Sequence, residues 1–184
     1  MRGYQLLLLV LTLFLVAAGL WQFYLQNSEQ PPSTPAEELW QAVGNMDVAR
    51  TQAILAEYPK YVGGTDEFGR TLLHHAVRQG RDDSDTEMMI GLLIQLGGDV
   101  NATDRSGQTP LHVAAHAGSP KVAQVLMDAL SDIHAKDDRG RTPLDVAQEF
   151  RLDQLTDIGK DHRIKSGRLA VARVIEAQIS KSID

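Results

Sequence analysis

The sequence predicts an all-α solenoid of about four stacked helix pairs, joined by short β-hairpin or turn links and preceded by one N-terminal transmembrane helix. Three observations carry this. The phrase Asp104-Arg-Ser-Gly-Gln-Thr-Pro-Leu111 returns 33 residues later as Asp137-Asp-Arg-Gly-Arg-Thr-Pro-Leu144, and a looser copy, Asp66-Glu-Phe-Gly-Arg-Thr-Leu-Leu73, stands 38 residues earlier. Behind the phrases, apolar residues recur at helical spacing. Ahead of them, Leu6 to Leu25 runs 20 residues without a charge. A repeat of this period means stacked units, none of which buries its apolar face alone.

The first element is Leu6 to Leu25. As a helix at ~1.5 Å per residue it spans about 30 Å, the thickness of a bilayer's hydrocarbon core. Trp21, Phe23 and Tyr24 cluster at its far end, where aromatic rings favour the interface. Arg2 lies on the near side, and no Lys or Arg follows until Arg50. The positive-inside bias therefore places the short amino terminus in the cytoplasm and the repeats across the membrane. The rival is a cleaved signal peptide, with Leu6 to Val16 as its apolar region and Val16-Ala17-Ala18 as the cleavage site. Apolar continuation through Leu25 favours the anchor, and both readings export the remainder. Residues 26–36, with Pro31, Pro32 and Pro35, form a linker reaching on the order of 30 Å if extended.

Residues 37–183 are the repeat domain, divided as 37–65, 66–103, 104–136 and 137–183. In the opening unit Leu39, Ala42 and Val43 mark a first helix broken near Gly44-Asn45, and Val48, Ile54 and Leu55 lie along a second. In the central units Asp-x-x-Gly is turn chemistry: Asp bonds the following backbone, and Gly supplies a positive φ. Thr109 and Thr142 then cap helices whose first residues are Pro110 and Pro143. The helix from Leu111 stops at Gly118, suited to a left-handed terminus, and Ser119-Pro120 restarts a longer one with Val122, Val125, Leu126 and Ala129 on one stripe.

Gly107-Gln-Thr-Pro-Leu-His-Val-Ala-Ala-His-Ala-Gly118 resembles the ankyrin-repeat signature, and Gly97-Gly-Asp-Val-Asn-Ala-Thr-Asp104 resembles that family's helix-to-hairpin link. The resemblance spans roughly Pro35 to Ile183 with atypical end units and is most specific from Asp66 to Ala147. It implies a concave face of turn tips and short first helices, with longer second helices behind. It also implies that His112 bonds the Thr of its own turn.

Five departures stand out. Leu72 replaces the first proline, and an acidic insertion, Arg81 to Glu87, explains the longer spacing. Leu130 stands where the first copy has Gly97, predicting a different closure there, and Asp145 replaces the motif histidine. After Phe150 a charged stretch, Arg151 to Lys165, precedes a closing helix from Arg168 to about Ser180, with Leu169, Ala172, Ile175 and Ile179 on one face.

The chain has no cysteine, so disulfides and Cys-based zinc sites are excluded. Its net charge of −6 falls in the repeat domain and argues against a nucleic-acid partner. His112 and His116 have the spacing of two metal ligands, but the sequence nominates no third, so no metal or other cofactor is expected. Asp82, Asp83, Asp85 and Glu87 lack the spacing of a calcium loop, and Ser84-x-x-Glu87 reads as a capping box instead. Asn101-Ala-Thr103 matches a glycosylation acceptor yet is the ordinary inter-repeat link. No nucleophile, base and oxyanion donors assemble in one place, so the chain is not expected to be an enzyme.

The expected role is a membrane-tethered module that binds another protein outside the cytoplasm. Repeat geometry nominates Phe68, Arg70, His75 and Arg78, then Gln108, Val113 and His116, then Arg139 and Arg141 as partner-binding. Phe68, an aromatic at a turn tip, leads. The alternative uses the same surface to modulate one client enzyme as an inhibitor, immunity or chaperone-like factor. Resemblance to small exported ankyrin proteins of Gram-negative bacteria implies an inner-membrane, single-pass protein with periplasmic repeats.

Overall fold

A computed structural model describes residues 34–81, 83–149 and 162–181. The anchor reading of Leu6 to Leu25 and most of the charged stretch lie outside these residues. Among the described residues no helix is long and apolar enough to cross a membrane.

The described residues form eight helices: α1 Pro35–Gly44, α2 Val48–Glu57, α3 Leu72–Gln79, α4 Ser84–Gln95, α5 Pro110–Ala117, α6 Pro120–Asp128, α7 Pro143–Glu149 and α8 His162–Lys181. A 3-10 turn, Pro59–Gly63, follows α2. The odd-numbered helices touch in sequence as one layer, the even-numbered as another, and each odd helix packs on the even helix after it. Helix α8 completes the fourth pair: it packs on α7 and takes its place beside α6.

One apolar core runs between the layers. Leu39, Ala42 and Val43 face it from α1, and Ile54 and Leu55 from α2, as the sequence predicts. Leu73, Ala76 and Val77 recur in α3, Leu111, Ala114 and Ala115 in α5, and Val146 and Ala147 in α7. The second layer answers with Met89, Ile90 and Leu93, then Val122, Leu126 and Met127, then Val171 and Ile175. Buried alanines recur in the odd-numbered helices, and each unit buries its stripe mainly against its neighbours.

The three phrases fold alike. In each, the aspartate N–H donates to the carbonyl four residues on (Asp66 to Arg70, Asp104 to Gln108, Asp137 to Arg141). Its Oδ1 accepts the N–H groups of the second and fourth residues after it, at 2.8–3.0 Å. The glycines have φ of +73°, +71° and +74°. The expected hairpins are therefore tight turns. An isolated antiparallel bridge, Thr65 with Thr71, is the nearest thing to a strand among the described residues.

Turn is tied to turn. Arg105 N–H donates to Phe68 C=O at 2.9 Å, and Asp138 N–H to Ser106 C=O at 3.1 Å. A Cβ on Gly107 would meet Asp138 N at 2.9 Å, whereas one on Gly140 would meet nothing within 4 Å. Close approach of a following turn explains the difference.

The motif histidines join units too. Nδ1 of His74 accepts Thr71 N–H at 3.2 Å and lies 2.9 Å from Thr71 Oγ1, as the family resemblance implied. With Nδ1 accepting, the proton is assigned to Nε2, which then donates to Gln108 C=O at 2.9 Å in the next turn. His112 repeats this from Thr109 to Arg141 C=O. Both ring nitrogens of His112 are thus occupied, which leaves none for a metal. Asp145 replaces only the near half: its Oδ2 accepts Thr142 N–H at 2.8 Å and Oγ1–H at 2.7 Å. A carboxylate caps its own turn but has no N–H with which to reach onward.

Three expectations are corrected. Leu130 does not change how α6 closes. Its N–H bonds Met127 C=O and Ser131 N–H bonds Leu126 C=O, as Gly97 and Gly98 do after α4. Leucine adopts φ +65° there, a conformation that costs a non-glycine residue roughly 1–2 kcal/mol. Helix α4 begins one residue earlier than read, and its cap is Asp83, whose Oδ1 accepts Thr86 N–H at 3.0 Å and Oγ1–H at 2.7 Å. Helix α8 begins at His162, and its inward face is Arg168, Val171, Ala172 and Ile175, leaving Leu169 exposed.

Candidate protein-binding face

The turns and the odd-numbered helices carry the predicted partner-binding residues. Phe68 sits at the first turn tip, 52% exposed, with the Arg70 guanidinium 4.4 Å from its ring centre. Arg70 is already engaged: Nε and a terminal nitrogen grip Asp66 Oδ2 at 2.8 and 2.7 Å. Arg141 forks Asp137 in the same way and also pairs with Glu149. Burial alone would raise the Asp137 carboxyl, but the Arg141 guanidinium and the Arg139 and Arg141 N–H groups hold it below the usual carboxylate range.

The structure brings four predicted residues together. Gln108, His116, Arg139 and Arg141 line one cavity of about 670 Å³. His75 lines a second, of about 460 Å³. Phe68, Arg70, Arg78 and Val113 line neither: Arg78 is exposed in the last turn of α3, and Val113 is half-buried against the core.

Sequence reasoning missed two side chains in this face. Trp40 of α1 meets the His75 ring edge-on, centroids 5.2 Å apart at 81°, and both line the second cavity. Burial, with Arg78 and Arg70 nearby, lowers the His75 pKa. The signal was present: Leu39-x-x-Ala42-Val43 repeats as Leu73-x-x-Ala76-Val77, aligning Trp40 with His74. Arg168 of α8 lines the first cavity and donates Nε–H to His116 C=O at 2.8 Å, a cation at the C-terminus of α5. Just before it, Gly167 lies so close that a Cβ there would sit 2.1 Å from Gly118 C=O. Nothing in the helix periodicity announces that approach.

The link Asn101-Ala-Thr103 is structural in this fold. Asn101 Oδ1 accepts Asp132 N–H at 2.7 Å, tying the link after α4 to the one after α6.

Comparison with known proteins matches this architecture. Residues 93–147 match the family described as ankyrin repeats in many copies, and residues 68–105 match the single ankyrin repeat. Residues 68–147 of the chain are thus similar to ankyrin repeats. Over 62 residues, 34% of this chain, it is 44% identical to protein phosphatase 1 regulatory subunit 12A of Mus musculus. It is 32% identical to human inversin over 95 residues, 52% of the chain, and to an ankyrin repeat-containing protein of Schizosaccharomyces pombe over 83, 44% of the chain. The chain spans only 6%, 8% and 36% of those proteins' lengths.

Proposed function

We propose that the chain is a non-catalytic, membrane-tethered module whose turn-and-first-helix face binds another protein outside the cytoplasm. One observation carries the binding reading: residues from two turns and from α5, α7 and α8 converge on a single 670 Å³ cavity. Surfaces assembled across units of a repeat array are the ones such proteins use for recognition. The tether rests on the uncharged run Leu6 to Leu25, and its orientation on Arg2 before that run and the acidic residues after it. By resemblance to exported bacterial proteins the repeats lie in the periplasm.

Similarity to a protein named as a phosphatase regulatory subunit favours a second reading, in which the face modulates one client enzyme. Affinity purification of the tagged, detergent-extracted chain separates the two. Several membrane-assembly proteins favour the first; one stoichiometric enzyme favours the second; no partner at all contradicts both. Carboxy-terminal reporter fusions test the tether. Alkaline phosphatase is expected to be active and a cytoplasmic fluorescent reporter dark; the opposite pattern overturns the orientation.

A further inference from the structure

The three turns provide an internal comparison. In the first and third, Oδ1 of the aspartate holds the turn's backbone while Oδ2 receives a guanidinium from the residue four positions on, Arg70 or Arg141. In the middle turn Oδ1 of Asp104 does the same backbone work, for Ser106 and Gln108. The fourth residue is Gln108, however, and among the described residues no donor reaches Asp104 Oδ2. Arg105, the cation next along the chain, lays its stem against Gly69 of the preceding turn instead.

We infer that the middle turn takes its guanidinium from the partner: Asp104 Oδ2 accepts an arginine side chain of the bound protein, in the place that Arg70 and Arg141 fill in the flanking turns. This rests on the proposed binding face and specifies what that face selects. Asp104 is half-exposed at the edge of the turn, and Ser106 and Gln108, whose N–H groups its Oδ1 holds, line the 670 Å³ cavity beside it. Arg141, on the same wall, is paired with Asp137 and Glu149, and the wall's other cations, Arg139 and Arg168, stand with a third carboxylate, Asp138. The chain's net charge of −6 draws a cationic segment in from a distance. A planar guanidinium matches a carboxylate oxygen presented beside backbone amides better than an ammonium does.

The test uses the full chain, ¹⁵N-labelled in detergent micelles and titrated with N-acetylarginine N-methylamide. The citrulline counterpart, equal in shape but uncharged, is the control. The arginine probe should shift the Ser106 and Gln108 amides saturably, and citrulline should bind about tenfold more weakly or not at all. Gln108→Arg, which supplies the missing fork internally, should abolish the shifts while melting no lower than the wild type. Asp104→Asn keeps an oxygen for the turn amides and should weaken the probe to the citrulline level. Absence of saturable shifts in the wild type, or undiminished binding in Gln108→Arg, overturns the inference. A natural partner captured equally by wild type and Gln108→Arg overturns it while leaving the binding face intact. No partner captured by the wild type, with the probe still bound by it, sinks the binding-face reading instead.

Discussion

His74 shows at the scale of one residue how this fold stores its cohesion. The ring is fully buried, accepts from its own turn and donates to the next, an arrangement open only to neutral imidazole. Burial lowers its pKa, outweighing the Gln108 carbonyl and the Asp104 and Asp66 charges, which act to raise it. Burial likewise lowers His75 and His116. The unfolded chain therefore binds protons that the folded one refuses, starting near the ordinary histidine pKa of about 6.5. Stability should be complete above that pH and fall as pH drops from there toward the folded values, levelling off below them, by up to about 1.4 kcal/mol per pH unit for each proton. Melts between pH 7.5 and 5 should show this decline, and His74→Asn should make it shallower, with His75 and His116 supplying the remainder. A flat wild-type profile would contradict the assigned tautomers. Leu130 makes the opposite case, a residue at odds with its backbone. Leu130→Gly removes the strain of φ +65° from an 84% exposed side chain. It should raise stability by about 1 kcal/mol in urea titration.

At the scale of elements, turn chemistry was the most legible part of the sequence. Asp66, Asp104, Asp137 and their glycines each do a local job, so their spacing predicted their geometry. What escaped prediction depends on neighbours. Leu130 was expected to alter the end of α6, yet the alternative to strain is losing both closing hydrogen bonds, and the backbone won. In α8 the stripe Leu169, Ala172, Ile175 is about as regular as Arg168, Val171, Ala172, Ile175. Docking of Arg168 onto His116 C=O selects the second register. Gly167 should enforce it: Gly167→Ala pushes a methyl group against the Gly118 carbonyl and should cost roughly 1–3 kcal/mol. Hydrogen exchange should then quicken in α8 before α3 or α4. Uniform protection would show that α8 docks by other means.

At the scale of the whole molecule the core is continuous, while contacts pass mainly between successive units. Damage should therefore spread to neighbours. Leu111→Asp places an unpaired charge at a fully buried site of α5 and should cost more than about 4 kcal/mol. Far-UV circular dichroism should lose more helix than α5 and α6 together hold, because units 66–103 and 137–183 fray along with 104–136. The candidate binding face was half legible from this architecture. Repeat register nominated Gln108, His116, Arg139 and Arg141, which share a cavity, but Trp40 and Arg168 come from the atypical end units, where the signature fades.

Site-specific photocrosslinking in the full chain tests the central claim most directly. A photoreactive amino acid would be placed in turn at Phe68, Gln108 and Arg139 on the turn-and-first-helix face, and at Gln95 and Asp128 at the ends of the second helices. Adducts to one partner protein from the first three positions and none from the last two are predicted. Adducts arising equally from both sets, or only from Gln95 and Asp128, would contradict the account.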